Sequence, residues 1–179
     1  DAHSLARRPC STAKGGALMG RVVDADTLAT LIDVDRRAGH RIAFANGCFD
    51  VLHVGHVRYL AGARAEGDRL IVAINDDESG RGLKGPNRPI LPAAARAELV
   101  AALADVDYVV LFGEPTVAGL LERLRPDVHC KGTDYTVESV PEREVVARYG
   151  GRIAIVGDEK THATRDLIAR VAGAPQPPR

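Results

Sequence analysis

The chain has 179 residues, enough for one well-packed domain and too few for two of ordinary size. Lys+Arg and Asp+Glu both number 24, a formal net charge of zero that argues against a general nucleic-acid surface, which carries a basic excess. No run approaches a membrane span, the first residues show no apolar signal-peptide core, and Cys10, Cys48 and Cys130 are spaced for neither a disulfide framework nor a Cys-based zinc site.

A cytoplasmic domain with no membrane or nucleic-acid partner is the expectation. The basic residues are almost all Arg; only Lys14, Lys84, Lys131 and Lys160 are Lys. A Lys retained in so Arg-rich a chain marks a place where a compact point charge serves.

Residues 1–20 lack periodicity and mix Arg, Pro, Ser and Gly, which reads as a flexible extension: an expression remnant or a natural tail ahead of a start at Met19. Asp24 or Asp26 caps a helix carrying Leu28, Leu31 and Ile32, ended by Gly39. IAFA (42–45) is a short apolar run leading into the polar loop NGCFD, and a helix runs from about His56 to Glu66. LIVAI (70–74) is a buried strand, followed by SGRGLKGPNRP as a Gly/Pro/Arg loop. Pro92 opens a helix through Ala95, Leu99 and Leu103, and YVVLF (108–112) is a strand.

Thr116 caps a helix with Val117, Leu120, Leu121 and Leu124 on one face, ended before Pro126. DVHC (127–130) is a strand, and Ser139 with Glu142 has capping-box spacing before a helix that Gly150 ends. IAIV (153–156) is a fifth strand, a last helix occupies about 164–172, and 174–179 form a disordered Pro-rich tail. Strands apolar on both faces and separated by helices predict an α/β fold. It is a Rossmann-like, doubly wound parallel sheet of five strands in one domain spanning 21–173. Ligands of such sheets bind beyond the carboxyl ends of the strands, where the strand order reverses.

The segment NGCFDVLHVGH (46–56) stands at such a place, between a strand and its helix. Gly47 lets the backbone turn or approach a ligand closely. His53 and His56, three apart, project to one side of an incipient helix, and Gly55 leaves room for a phosphate between them. The helix N-terminus adds unpaired N–H groups and a positive dipole end. The set reads as a cradle for a phosphate that gains charge during reaction. Two other readings stand beside it: Asp50, His53 and His56 as metal ligands, or two structural histidines.

This segment resembles the HxGH nucleotidyltransferase superfamily, and GDRLIVAINDDES, RGLKGPNRPILP, VDYVVLFGEPT, PDVHCKGTDY and GGRIAIVGDEKTHATRDLI follow in family order over about 41–172. Within it the chain is most similar to the domains that make an ADP-heptose from a heptose 1-phosphate and ATP. The resemblance implies that His53 and His56 stabilise the α-phosphate in the transition state, with Lys84 also catalytic. It implies that Asn46, Gly47, Cys48, Phe49, Asp50 and Gly55 line the nucleotide pocket, that Arg96 meets the triphosphate, and that Asn75 and Arg88 contact the sugar.

Lys131, Gly132 and Asp134 follow the fourth strand; Gly132 permits close approach, and Asp134 is placed to hold a ribose hydroxyl or orient a base. Thr164 and Arg165, at the start of the last helix, fall where the family holds the β- and γ-phosphates, with Ala163 where Ser is common. The implied reaction is attack of a sugar 1-phosphate on the α-phosphorus of ATP or another nucleoside triphosphate, with Mg²⁺ on the triphosphate and pyrophosphate released. A homodimer, and a sugar kinase supplied by a separate chain, are the implied partners. A cytidylyltransferase acting on glycerol 3-phosphate or another polyol phosphate is the alternative within the class, a non-catalytic nucleotide sensor the alternative outside it, and a metallohydrolase the third.

Overall fold

The computed structural model describes residues 19–158 together with Ile168 and Val171. Among these residues six strands form one parallel sheet: β1 (Arg21–Val22), β2 (Ile42–Gly47), β3 (Arg69–Asn75), β4 (Tyr108–Phe112), β5 (Val128–Lys131) and β6 (Arg152–Ile155). Their order is β1-β4-β3-β2-β5-β6. The helices are α1 (Ala25–Arg37), α2 (Val54–Ala65), α3 (Asp77–Lys84), α4 (Ala93–Ala101), α5 (Ala118–Leu124) and α6 (Arg143–Arg148), with a 3-10 turn at Val137–Ser139.

The doubly wound α/β sheet is the one expected. On one face α2 and α4 bring Leu60, Ala63, Ala97 and Val100 onto Leu70, Val72 and Ile74. On the other, α1, α5 and α6 bring Leu28, Ile32, Leu121, Leu124 and Val146 onto Phe44, Ile71 and Ala73. Each fully buried Leu, Ile or Val contributes about 1.5–3 kcal/mol, so the sheet is held from both sides. From β2 the chain adds β3 and β4 on one side, then crosses to lay β5 on the other side of β2. The reversal puts the crevice of the fold beyond the carboxyl ends of β2 and β5.

At the opposite, amino end of the strands, Asp35 of α1 ties three elements together. It accepts from His40 Nδ1 (2.9 Å), from Arg69 Nε at the start of β3 (2.9 Å) and from the Tyr108 hydroxyl at the start of β4 (2.7 Å). Burial alone would raise its pKa, but the donors on Tyr108, His40 and Arg69 outweigh burial and hold the carboxyl below its ordinary value.

The five expected strands are β2 to β6; β1 is a sixth. Its two residues are both exposed and show no apolar run, and it joins β4 through the Arg21 N–H to the Asp107 carbonyl (2.9 Å) and the Val23 N–H to the Val109 carbonyl (2.9 Å). Gly20, expected in the extension, already donates to the Ala101 carbonyl at 2.8 Å. The loop expected over 79–89 is helical in its first half. Asp76 caps α3 by accepting from Ser79 N–H (2.8 Å), acids occupy the first turn, and Arg81 and Lys84 occupy the last. Gly80 lets this helix lie against Pro89, since a Cβ there would stand 2.8 Å from the Pro89 Cγ.

Two expected caps are replaced. Val117, not Thr116, precedes α5 and makes no side-chain cap. The reciprocal capping box joins Thr136 and Ser139 around the 3-10 turn, while Glu142 precedes α6 with its carboxylate turned elsewhere. The last helix falls largely outside the described residues, although Ile168 and Val171 are helical. Residues 1–18 and 174–179 also lie outside them.

Candidate active site

The loop after β2 is shaped by three local features. Phe49 takes a left-handed backbone (φ 48°) and buries its ring. Gly47 leaves space for that ring, because a Cβ there would sit 3.1 Å from Phe49 Cε2. His53 is extended (φ −143°) and opens α2 as its N-cap, accepting the Gly55 N–H on Nδ1 at 3.1 Å.

Asn, Asp, Ser or Thr normally fills that position. A His that accepts on Nδ1 carries its proton on Nε2, so the cap also sets the tautomer. The His53 and His56 rings stack with centroids 3.9 Å apart and planes inclined by 27°. Phe49 lies 5.2 Å from the His56 ring and 6.4 Å from Tyr59, whose hydroxyl donates to the Cys130 carbonyl of β5 at 2.8 Å. The two imidazoles are thus brought together on the first turn of α2, at the crevice.

The metal-ligand reading does not assemble. The Asp50 carboxylate is buried and accepts from Arg88 Nε (2.5 Å), Ile90 N–H (2.6 Å) and Leu91 N–H (3.0 Å). Among the described residues no group of three His, Cys, Asp or Glu is placed to hold a metal ion. Asp50 and Arg88 therefore bind each other and fasten segment 88–91 to the HxGH loop.

Arg96, which the resemblance assigns to the triphosphate, is turned into the protein. It is fully buried, with Nε donating to the Leu91 carbonyl (2.9 Å) and Nη1 to the carbonyls of Cys48 (2.6 Å) and Asn75 (2.8 Å). Its Nη2 donates to Asp77 Oδ1 at 2.8 Å. This guanidinium joins the ends of β2 and β3 to α3 and α4. Asn75 is buried and donates to the Ser79 hydroxyl at 3.3 Å.

Lys84 is exposed at the end of α3 rather than within a loop. Its charge still reaches the loop: burial raises the Cys48 thiol pKa, while Arg96, Lys84 and Arg88 oppose the rise. Cys48 itself is buried against Arg96.

Lys131 turns inward. Its Nζ donates to Asn46 Oδ1 (3.2 Å), pairs with Glu142 Oε2 (3.4 Å) and lies 5.0 Å from the Tyr135 ring centroid. His129 Nε2 is 3.2 Å from the same Asn46 oxygen. Burial first, and then the Lys131 charge, push the His129 pKa down to about 3, so the ring is neutral. Burial also lowers the Lys131 pKa, with Glu142 acting against it.

Gly132 and Asp134 belong to the turn after β5, where Tyr135 N–H donates to the Gly132 carbonyl at 3.1 Å and Asp134 is exposed. Thr164 and Arg165 lie outside the described residues. Sequence reasoning assigned no binding role to His129 and none to Glu142. A His inside an otherwise apolar strand was the available signal for the first; nothing local marks the second.

Residues 44–169 match the cytidylyltransferase-like family model. The bifunctional protein HldE of Rhodospirillum rubrum is 48% identical over 153 residues, covering 86% of this chain and 31% of that protein. HldE of Geobacter sulfurreducens is 46% identical over 154 residues, covering 86% and 31%. The chain therefore spans about a third of the length of these curated relatives. The crystal structure of the lipopolysaccharide core biosynthesis protein from Thermoplasma volcanium aligns with TM-score 0.59 and 27% identity, covering 68% of this chain and 100% of that one. With an HxGH loop at the reversal point of a parallel sheet and a family match over most of its length, the chain belongs to the cytidylyltransferase-like family and is a nucleotidyltransferase.

Proposed function

We propose that this nucleotidyltransferase moves AMP from ATP onto a heptose 1-phosphate and releases pyrophosphate. The observation that carries the phosphate chemistry is the stacked His53–His56 pair on the first turn of α2, with the His53 Nε2–H fixed by its cap. The heptose and adenine assignments rest on the motif resemblance. They agree with a structural relative whose name refers to lipopolysaccharide core biosynthesis.

An oxygen of the sugar 1-phosphate attacks the α-phosphorus, a new P–O bond forms, and the bond to the β-phosphate oxygen breaks. The electron pair leaves with pyrophosphate. The attacking phosphate is already ionised, so no strong general base is needed. The two histidines donate to the α-phosphate oxygens as charge develops, and Lys84, at the exposed end of α3, adds a positive charge over the same crevice. A Mg²⁺ bound with the triphosphate would supply counter-charge to the pyrophosphate as it leaves. Thr164 and Arg165 would hold those same phosphates, Gly132 and Asp134 would meet the nucleoside, and the cytoplasm and a homodimer complete the proposal.

The test is a matrix of ATP, CTP, GTP and UTP against heptose 1-phosphate and glycerol 3-phosphate, followed by pyrophosphate release. Turnover is expected with ATP and heptose 1-phosphate. Preference for CTP with glycerol 3-phosphate would replace this reading by its cytidylyltransferase alternative.

A further inference from the structure

The crevice between β2 and β5 contains a buried polar group that the transfer chemistry does not use. An ammonium has only donors, so the Asn46 atom facing Lys131 Nζ at 3.2 Å is the amide oxygen. His129 Nε2 faces the same oxygen at 3.2 Å and must therefore carry the ring proton. Lys131 is held in turn by Glu142 at 3.4 Å, the two side chains each 8% exposed. Turning the Asn46 amide over would set its NH₂ against two donors in a buried place, which costs more than the bonds it would replace. The amide nitrogen therefore lies on the other side of Cγ. It makes no hydrogen bond among the described residues, and Asn46 is half-buried at the next-to-last position of β2.

We propose that His129 and Lys131 are positioning residues that lock the Asn46 amide, with Glu142 holding Lys131, so that its NH₂ is a fixed donor to a phosphate oxygen of the bound substrate. The inference rests on the nucleotidyltransferase reading of the site and adds to it a residue set for substrate affinity. The phosphate belongs either to the nucleotide or to the sugar 1-phosphate. A donor that cannot rotate into an acceptor favours an anion over a neutral hydroxyl donor at that point, and it loses little entropy on binding.

Three variants separate the parts. His129→Phe keeps a ring against Phe44, 5.8 Å away in the native protein, and removes the donor. Lys131→Met with Glu142→Gln removes the ion pair without leaving a buried charge alone. Asn46→Asp keeps the inner oxygen and replaces the NH₂ by a second oxygen. In steady-state assays with Mg-ATP and heptose 1-phosphate, all three are expected to raise the same KM about tenfold or more, the value of one hydrogen bond to a charged acceptor, with kcat changing less. Asn46→Asp combined with His129→Phe should be no worse than Asn46→Asp alone.

The KM that moves identifies the nucleotide or the sugar phosphate as the source of the oxygen. Unchanged KM values in a folded His129→Phe, or additive losses in the double variant, overturn the proposal. Independently of turnover, ¹⁵N NMR of the wild-type protein should show His129 protonated on Nε2 and neutral at mildly acid pH, and Mg-ATP or heptose 1-phosphate should shift the Asn46 side-chain amide. A proton on Nδ1, or an Asn46 amide that neither substrate moves, also overturns it. A wild-type protein without pyrophosphate release on any substrate pair removes the activity reading alone, because the NMR measurements need no turnover.

Discussion

The Gly55 N–H donates to His53 Nδ1, so the side chain that starts α2 is the same one that stacks on His56 at the crevice. Helix capping and tautomer selection are a single hydrogen bond. A mutation at residue 53 therefore acts on stability and on chemistry at once, and a suitable pair of variants can separate them.

His53→Asn restores a favoured cap but has no imidazole. Its melting temperature should stay near wild type, while pyrophosphate release falls about 10²-fold or more. His53→Ala should show the same loss of turnover and a further loss of about 1 kcal/mol in denaturant unfolding. Wild-type turnover in a folded His53→Asn would remove this residue from the chemistry.

Arg96→Met should be severely destabilising, by about 3–5 kcal/mol, because it leaves the carbonyls of Cys48, Asn75 and Leu91 without their donor in the interior. Arg96→Lys should recover only part of that loss, since one ammonium cannot reproduce the planar fork. Urea midpoints of the three proteins decide it; near-equal midpoints would refute the clamp.

His129 should make stability fall in acid. The neutral ring of the folded state titrates at about 3, whereas an unfolded histidine titrates near its ordinary value of 6.5. Its contribution is complete above pH 6.5 and is lost as pH falls toward about 3, because the unfolded chain binds a proton that the folded chain does not. The slope from this one group is about 1.4 kcal/mol per pH unit within that window. His129→Phe should flatten the profile there by one proton. An unchanged slope would show that the ring charges without unfolding.

Tyr108→Phe should cost about 1.5–3 kcal/mol near neutral pH, the range for a hydrogen bond to a charged group. Asp35 has a folded pKa below its ordinary value, so its stabilisation is present above the unfolded pKa and disappears as pH falls through the folded one. The gap between wild type and Tyr108→Phe should accordingly narrow in acid. Chemical denaturation over a pH series measures it.

The strands β2 to β6 were legible because each is a short apolar run bounded by polar or glycine-containing turns. The HxGH loop was legible because its residue types and its place after a strand point the same way. What escaped was held by tertiary contact. β1 has no buried side chain and exists through backbone pairing with β4. In α3 the glycines looked like loop residues, although Asp76, Ser79 and the acid-to-base order along the segment mark a capped helix. Arg96 and Lys131 carry the charge a phosphate site needs, and nothing local reveals that the fold turns both toward protein acceptors. Asp50 reads as a ligand for the same reason, until segment 88–91 is seen to supply its donors.

The left-handed Phe49 makes the reactive loop an outgrowth of the hydrophobic core. Such a backbone at a bulky residue costs about 1–3 kcal/mol and persists only where its surroundings enforce it. Here the enforcement is the ring, buried against His56 and Tyr59, with Tyr59 anchored to β5. Among the described residues, the histidines are therefore held in place by the same packing that holds the sheet. Heat or denaturant should abolish turnover along the same transition that unfolds the domain, so that the enzyme fails all at once instead of fading.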